Sequence, residues 1–240
     1  MNKLNLIAMT ALFGSLSACA TTSNTVIEPH YTFDNKARSF FDKRIELKNS
    51  SEVAALHNKQ WYYQDTLNKG GDSIEVSNCL ALKEALAEGF KADTYSYQEA
   101  VIATEHICDT WQAMAKLEAS HSSWINFTHG KEVAEELPAE FTLAISNYTV
   151  EQVAQSEHWS DVTTIKKVEP VNEDQAVYYD TDGSIQRLTL MAQGDYNGDG
   201  IEDAIFYMEN GVDGGSYSSV KAYVVTRLEQ GAPITLLAQW

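Results

Sequence analysis

The chain has 240 residues, with 17 Lys plus Arg against 34 Asp plus Glu and a formal charge of −17. So large an acidic excess excludes a nucleic-acid-binding protein and works against contact with an anionic lipid surface. It favours cations, although acidity that keeps an exported protein soluble accounts for most of it. The length fits one folded unit or two closely packed subdomains.

The first residues, "MNKLNLIAMTALFGSLSAC", carry Lys3, an apolar stretch from Leu4 to Phe13 and small residues leading to a cysteine. This is the pattern of an export signal, and its apolar run is too short for a transmembrane helix of ~20 residues. Leu16-Ser17-Ala18-Cys19 resembles the bacterial lipobox, which implies removal of residues 1–18 as a lipoprotein signal peptide and acylation of Cys19. Loss of Lys3 takes the formal charge to −18. The resemblance, with Ala20 after the cysteine and no Asp, implies a protein held to the outer membrane of a cell envelope by its acyl chains, the leaflet being open. Residues 19–33 are polar and read as a tether.

From residue 34 to residue 160 the pattern is helical. "DNKARSFFDKRIEL", "SSEVAALHNKQWYYQDTLNKGG", "SNCLALKEALAEG" and "SYQEAVIATEHICDTWQAMAKLEAS" each carry a cap, an apolar stripe or a terminal Gly, the last with Ser96 and Glu99 in capping-box relation. The two last helices read as an antiparallel pair. Cys79 and Cys108 lie about equally far from the turn between them, so folding the hairpin brings the thiols level, and an exported chain keeps a disulfide. Short helices follow in "GKEVAEELPAEF" and "TVEQVAQSEHW", around the irregular "SHSSWINFTHG".

Beyond residue 161 the apolar period becomes two. Leu188, Leu190 and Ala192, then Ala222, Val224 and Leu228, then Ile234, Leu236, Ala238 and Trp240 alternate with polar positions, and "DTDGS" marks a tight hairpin. The expected fold is α+β: a helical N-terminal half over 34–160 packed on one face of a C-terminal antiparallel β-meander over 161–240, with five or six strands.

Within that meander "GDYNGDGIEDAIF" places side-chain oxygens at Asp195, Asn197, Asp199 and Asp203, with Gly200 at the turn and the Ile201 carbonyl between. Alternate oxygens of a tightly wound chain converge on one hard cation, and a set without His or Cys selects calcium. An EF-hand needs a Glu at the twelfth position, where this chain has Phe206. The segment resembles instead the calcium loop of FG-GAP and VCBS-like repeats, which implies a strand, the loop 195–203 and a second strand, with Asp203 closing the site. That family uses several copies; here there is one. An Asn-Gly and Asp-Gly turn with its acids in water is the simpler alternative.

No residue pattern identifies an enzyme. Glu105, His106 and Asp109 share a helix that reads as an ordinary charged surface, and no His-Glu-x-x-His or phosphate-binding glycine loop occurs. The best reading is a calcium-stabilised, lipid-anchored envelope protein, non-enzymatic, binding an unknown envelope protein or glycan through aromatics such as Trp124 and Phe127, or purely structural. The alternative is a hydrolase, or hydrolase accessory factor, acting on envelope polymers. The same aromatics also suit a core.

Overall fold

A computed structural model describes residues 26–240. The expected signal peptide 1–18, Cys19 and the first part of the expected tether lie outside the described residues. From the N-terminus the elements are β1 (His30–Tyr31), α1 (Arg38–Phe41), α2 (Ser50–Leu56), β2 (Asp65–Lys69), β3 (Asp72–Val76), α3 (Cys79–Ala87) and α4 (Tyr95–Met114). Then come α5 (Val133–Glu136), a 3-10 turn (Ala139–Phe141), α6 (Asn147–Val153) and α7 (Trp159–Val162). Six strands close the chain: β4 (Ile165–Pro170), β5 (Gln175–Asp180), β6 (Ser184–Gly194), β7 (Asp203–Val212), β8 (Ser218–Thr226) and β9 (Thr235–Gln239).

These six form an antiparallel meander in sequence order, and β1 joins β6 beyond the end of β5, pairing His30 with Gln193 and Tyr31 with Ala192. The protein is α+β with its sheet at the C-terminal end. Residues 27–32 belong to the domain: Ile27 pairs with Ser120, and Thr32 donates to the Met191 and Leu190 carbonyls.

Both faces of the sheet are covered, where alternation predicts cover on one. Ala204 to Met208 of β7 are all buried, the mark of a strand with apolar contact on both sides. Ile205, Tyr207, Ala222 and Val224 pack under the layer of α1 to α4. Leu188, Leu190, Phe206, Met208, Tyr223 and Val225 pack instead against residues 125–165, where Phe141 stacks on Tyr223 at 4.0 Å and Trp159 lies 5.2 Å from Tyr178.

Bulges rephase the alternation at three points, at Lys166 in β4, where Ile165 and Val168 both reach the second layer, at Met191 and at Leu237. The one at Met191 sends Leu190 to the second layer and Ala192 to the first, since an extra residue in a strand flips every side chain after it. The one at Leu237 leaves Ile234 and Leu236 on the second layer and turns Ala238 and Trp240 to the first. Leu228 lies beyond β8 and is exposed.

The N-terminal half is helical only in part. Residues 65–76 form a hairpin, because Gly70 and Gly71 both take positive φ, as a two-residue turn between antiparallel strands requires. Leu67 and Val76 bury from that hairpin. Helix α1 spans four residues and ends at Asp42 in a left-handed conformation. At α3 the Asn78 side chain accepts from Ala81 N–H, as a Ser-Asn start predicts. Helix α4 is capped by Thr94, whose Oγ1 accepts from Tyr97 N–H, so Ser96 lies inside the helix.

Cys79 and Cys108 form a disulfide between α3 and α4, with Cα atoms 5.5 Å apart and both residues fully buried. Closing a loop of this length restricts the unfolded chain and contributes about 3 kcal/mol. Cys79→Ala combined with Cys108→Ala should therefore lower the unfolding free energy by about that amount, read as a lower urea midpoint.

Candidate functional site

The loop between β6 and β7 leaves the sheet at the paired residues Gly194 and Asp203. Its tight winding uses Gly198 and Gly200, both at φ near +80°, which side-chain-bearing residues rarely adopt. That winding turns backbone N–H groups inward. Asp195 Oδ1 accepts from Gly198 N–H at 2.7 Å and Asp199 N–H at 3.2 Å, while Oδ2 accepts from Gly200 N–H at 2.7 Å. Asn197 Oδ1 accepts from Asp199 N–H, its amide donates to Asp199 Oδ2, and Asp199 Oδ1 accepts from Ile201 N–H.

Asp203 differs from the others. It is fully buried; Oδ2 accepts from Tyr196 N–H at 2.9 Å, and Oδ1 has no hydrogen-bond partner. Burial is the main cause that pushes its carboxyl up to about 6, with Asp199 and Asp195 adding to it. The nearby Thr226 hydroxyl and the Tyr196 N–H work the other way, though that hydroxyl makes no hydrogen bond in this geometry.

The structure thus brings Asp195, Asn197, Asp199, Ile201 and Asp203 into one loop. Among the described residues no three His, Cys, Asp or Glu side chains stand as a metal-holding group. The acids point to the loop's own N–H groups. Those oxygens keep further lone pairs, and the donor set of three carboxylates and one carboxamide is chemically suited to a hard cation.

A second segment holds the loop from outside, and its residues carry no motif. Glu118 and Asp195 exchange backbone hydrogen bonds at 2.8 and 3.0 Å. The Gly200 carbonyl accepts from His121 and Ser122 N–H, and Glu202 N–H donates to Ser122. Ser123 Oγ donates to Glu202 Oε1 at 2.6 Å. Residues 118–123 follow α4 and reach the loop from as far as 80 residues away, which only tertiary structure reveals.

The other candidates separate. Trp124 is 37% exposed, whereas Phe127 is half-buried and packs edge-on against Phe206 of the second layer at 4.7 Å. Asp109 pairs with Lys83, and burial holds His106 below the ordinary imidazole range, so the carboxylate on this helix face is already partnered. A groove of ≈ 540 Å³ between α4 and the far ends of β7 and β8 is lined by Glu99, His106 and Glu209. No hydrogen bond joins these three side chains among the described residues, so no acid–base pair is assembled there.

Compared with known proteins, the chain matches no protein family, no curated protein and no solved structure.

Two substitutions test how the loop is built. Asp195→Asn turns an amide donor toward inward-facing N–H groups and should cost about 1–3 kcal/mol of stability even in chelator. At Gly194 an added Cβ would lie 3.1 Å from the Cβ atoms of both Leu117 and Pro29. Gly194→Ala should accordingly cost about 1–3 kcal/mol through crowding, measured by thermal melts and denaturant titration.

Proposed function

We propose that this is a calcium-stabilised protein of the bacterial cell envelope, lipid-anchored at Cys19 and binding or structural in role. The observation that carries the calcium reading is the Asp203 oxygen, buried without a partner beside two further carboxylates. An unpaired buried acceptor is costly, and a cation would supply it a partner. Asp195, Asn197, Asp199, the Ile201 carbonyl and Asp203 would hold the ion. Calcium would supply positive charge against three acids whose mutual repulsion otherwise strains the β6–β7 connection.

The protein's own residues do the rest. Gly198 and Gly200 permit the winding, the inward N–H groups orient Asp195, and residues 118–123 fix the loop against the domain. A binding role is supported by exposed apolar side chains on and beside α6, namely Ile145, Tyr148 and Val150, together with Trp124. Their partner would be an envelope protein or glycan. The lipobox resemblance of Leu16 to Cys19 supports the anchor, and no helix among the described residues is long and apolar enough to cross a membrane. The outer membrane is the proposed location.

Calorimetric titration of metal-stripped protein with calcium tests the central claim. Binding should raise stability by ~2.7 kcal/mol at a hundredfold excess over the dissociation constant, and chelator should reverse this. Asp199→Ala should abolish the heat and make melts in calcium and chelator coincide. Absence of heat in the parent protein would identify the loop as a self-satisfied turn.

A further inference from the structure

Four of the cations of this acidic chain, Lys36, Arg38, Arg44 and Arg187, line one pocket of ≈ 240 Å³. Only two acids, Asp34 and Glu209, share its lining. Arg44 pairs with Asp34 at 3.4 Å, while Lys36 and Arg187 share Glu209 at 2.8 and 3.9 Å. Arg38 is exposed and makes no ion pair among the described residues. The pocket therefore keeps two positive charges in surplus on a protein whose formal charge is −17.

The Lys36 and Arg187 sides of the pocket are fixed in advance. Lys36 sits at φ 63°, a strained conformation for a side-chain-bearing residue. Buried Asn35 holds it there: its amide donates to the Ile45 carbonyl at 2.7 Å, its Oδ1 accepts from Ala37 N–H, and its own carbonyl accepts from the Trp111 indole. The ammonium of Lys36 then lies over the Tyr207 ring and against Glu209, and Arg44 lies 4.4 Å from the centre of Phe33. Arg187 stands on the rigid sheet, in register opposite Glu209.

We propose that this pocket binds a phosphate monoester. Guanidinium forks recognise phosphate oxygens in pairs, and a dianion matches the surplus of two charges. The volume suits a small headgroup, and the acidic exterior discriminates against long polyanions. The phosphate can arrive on a soluble metabolite or on a membrane lipid.

The experiment titrates the full chain, calcium-stripped and calcium-loaded, with glycerol 1-phosphate and separately with vesicles containing phosphatidic acid, whose headgroup is a phosphate monoester; failure here leaves the calcium claim standing, and the reverse. Saturable binding of glycerol 1-phosphate identifies a soluble ligand, and binding of vesicles alone identifies a lipid headgroup. In either case Arg38→Ala and Arg187→Ala should each weaken binding roughly tenfold or more, and Arg38→Lys should restore part of it. Lys36→Gly relieves the left-handed backbone, so it should weaken binding while leaving the fold intact by circular dichroism. Binding of neither probe, or binding unchanged by these substitutions, overturns the proposal.

Discussion

Two-sided burial of β7 is the constraint around which the structure is arranged. A strand whose residues from Ala204 to Met208 are all withdrawn from water needs apolar cover above and below, and one layer of helices supplies half of it. Residues 125–165 supply the other half with little regular structure: three short helices and one 3-10 turn, anchored by Phe141 and Trp159. Their polar groups are tied to the sheet, since Gln186 donates to the Phe141 carbonyl and Tyr223 to the Glu140 carbonyl. An irregular layer is stable here because the sheet, not local helix propensity, organises it.

The bulges at Met191 and Leu237 follow from the same demand. Each switches one alternate set of side chains from the second layer to the first partway along a strand, so that Leu188 and Leu190, or Ile234 and Leu236, serve one layer and Ala192, or Ala238 and Trp240, the other. The first also places the end of β6 where Gly194 meets Leu117 and Pro29, so the loop, the N-terminal segment and the end of the helical layer converge. Residues 118–123 lead from that layer past the loop toward the second layer, holding all three in contact.

Much of this was legible in the sequence where the signal is local. Asn78 before an apolar helix, the Asp-Gly turn after β5, the two cysteines placed about one turn and the period-two region all sit where pattern reading puts them. Local reading failed where two signals competed. Residues 50–71 carry a helical stripe and a glycine pair; the stripe governs only Ser50–Leu56, and the glycines govern a hairpin. The continuous apolar run Ala204–Met208 was a visible sign of double burial, whereas bulges leave no mark in an alternating pattern. The oxygen-rich loop could be seen directly, but its outside support and the pocket of Lys36, Arg38, Arg44 and Arg187 could not, because tertiary folding gathers them from distant positions.

Attachment of β1 to β6 sets a geometric limit on the proposed anchor. Ile27 is already hydrogen-bonded to Ser120, three residues before Ser123 contacts Glu202. From an acylated Cys19 to Ile27 there are eight peptide steps, which span at most about 28 Å whatever their conformation. If Cys19 is acylated as proposed, a chain this short would keep the attached edge of the domain within about that distance of the lipid headgroups. The point of tether attachment is also the edge where the oxygen-rich loop is clasped, so the loop would face the bilayer side, and the opposite ends of the strands would face outward.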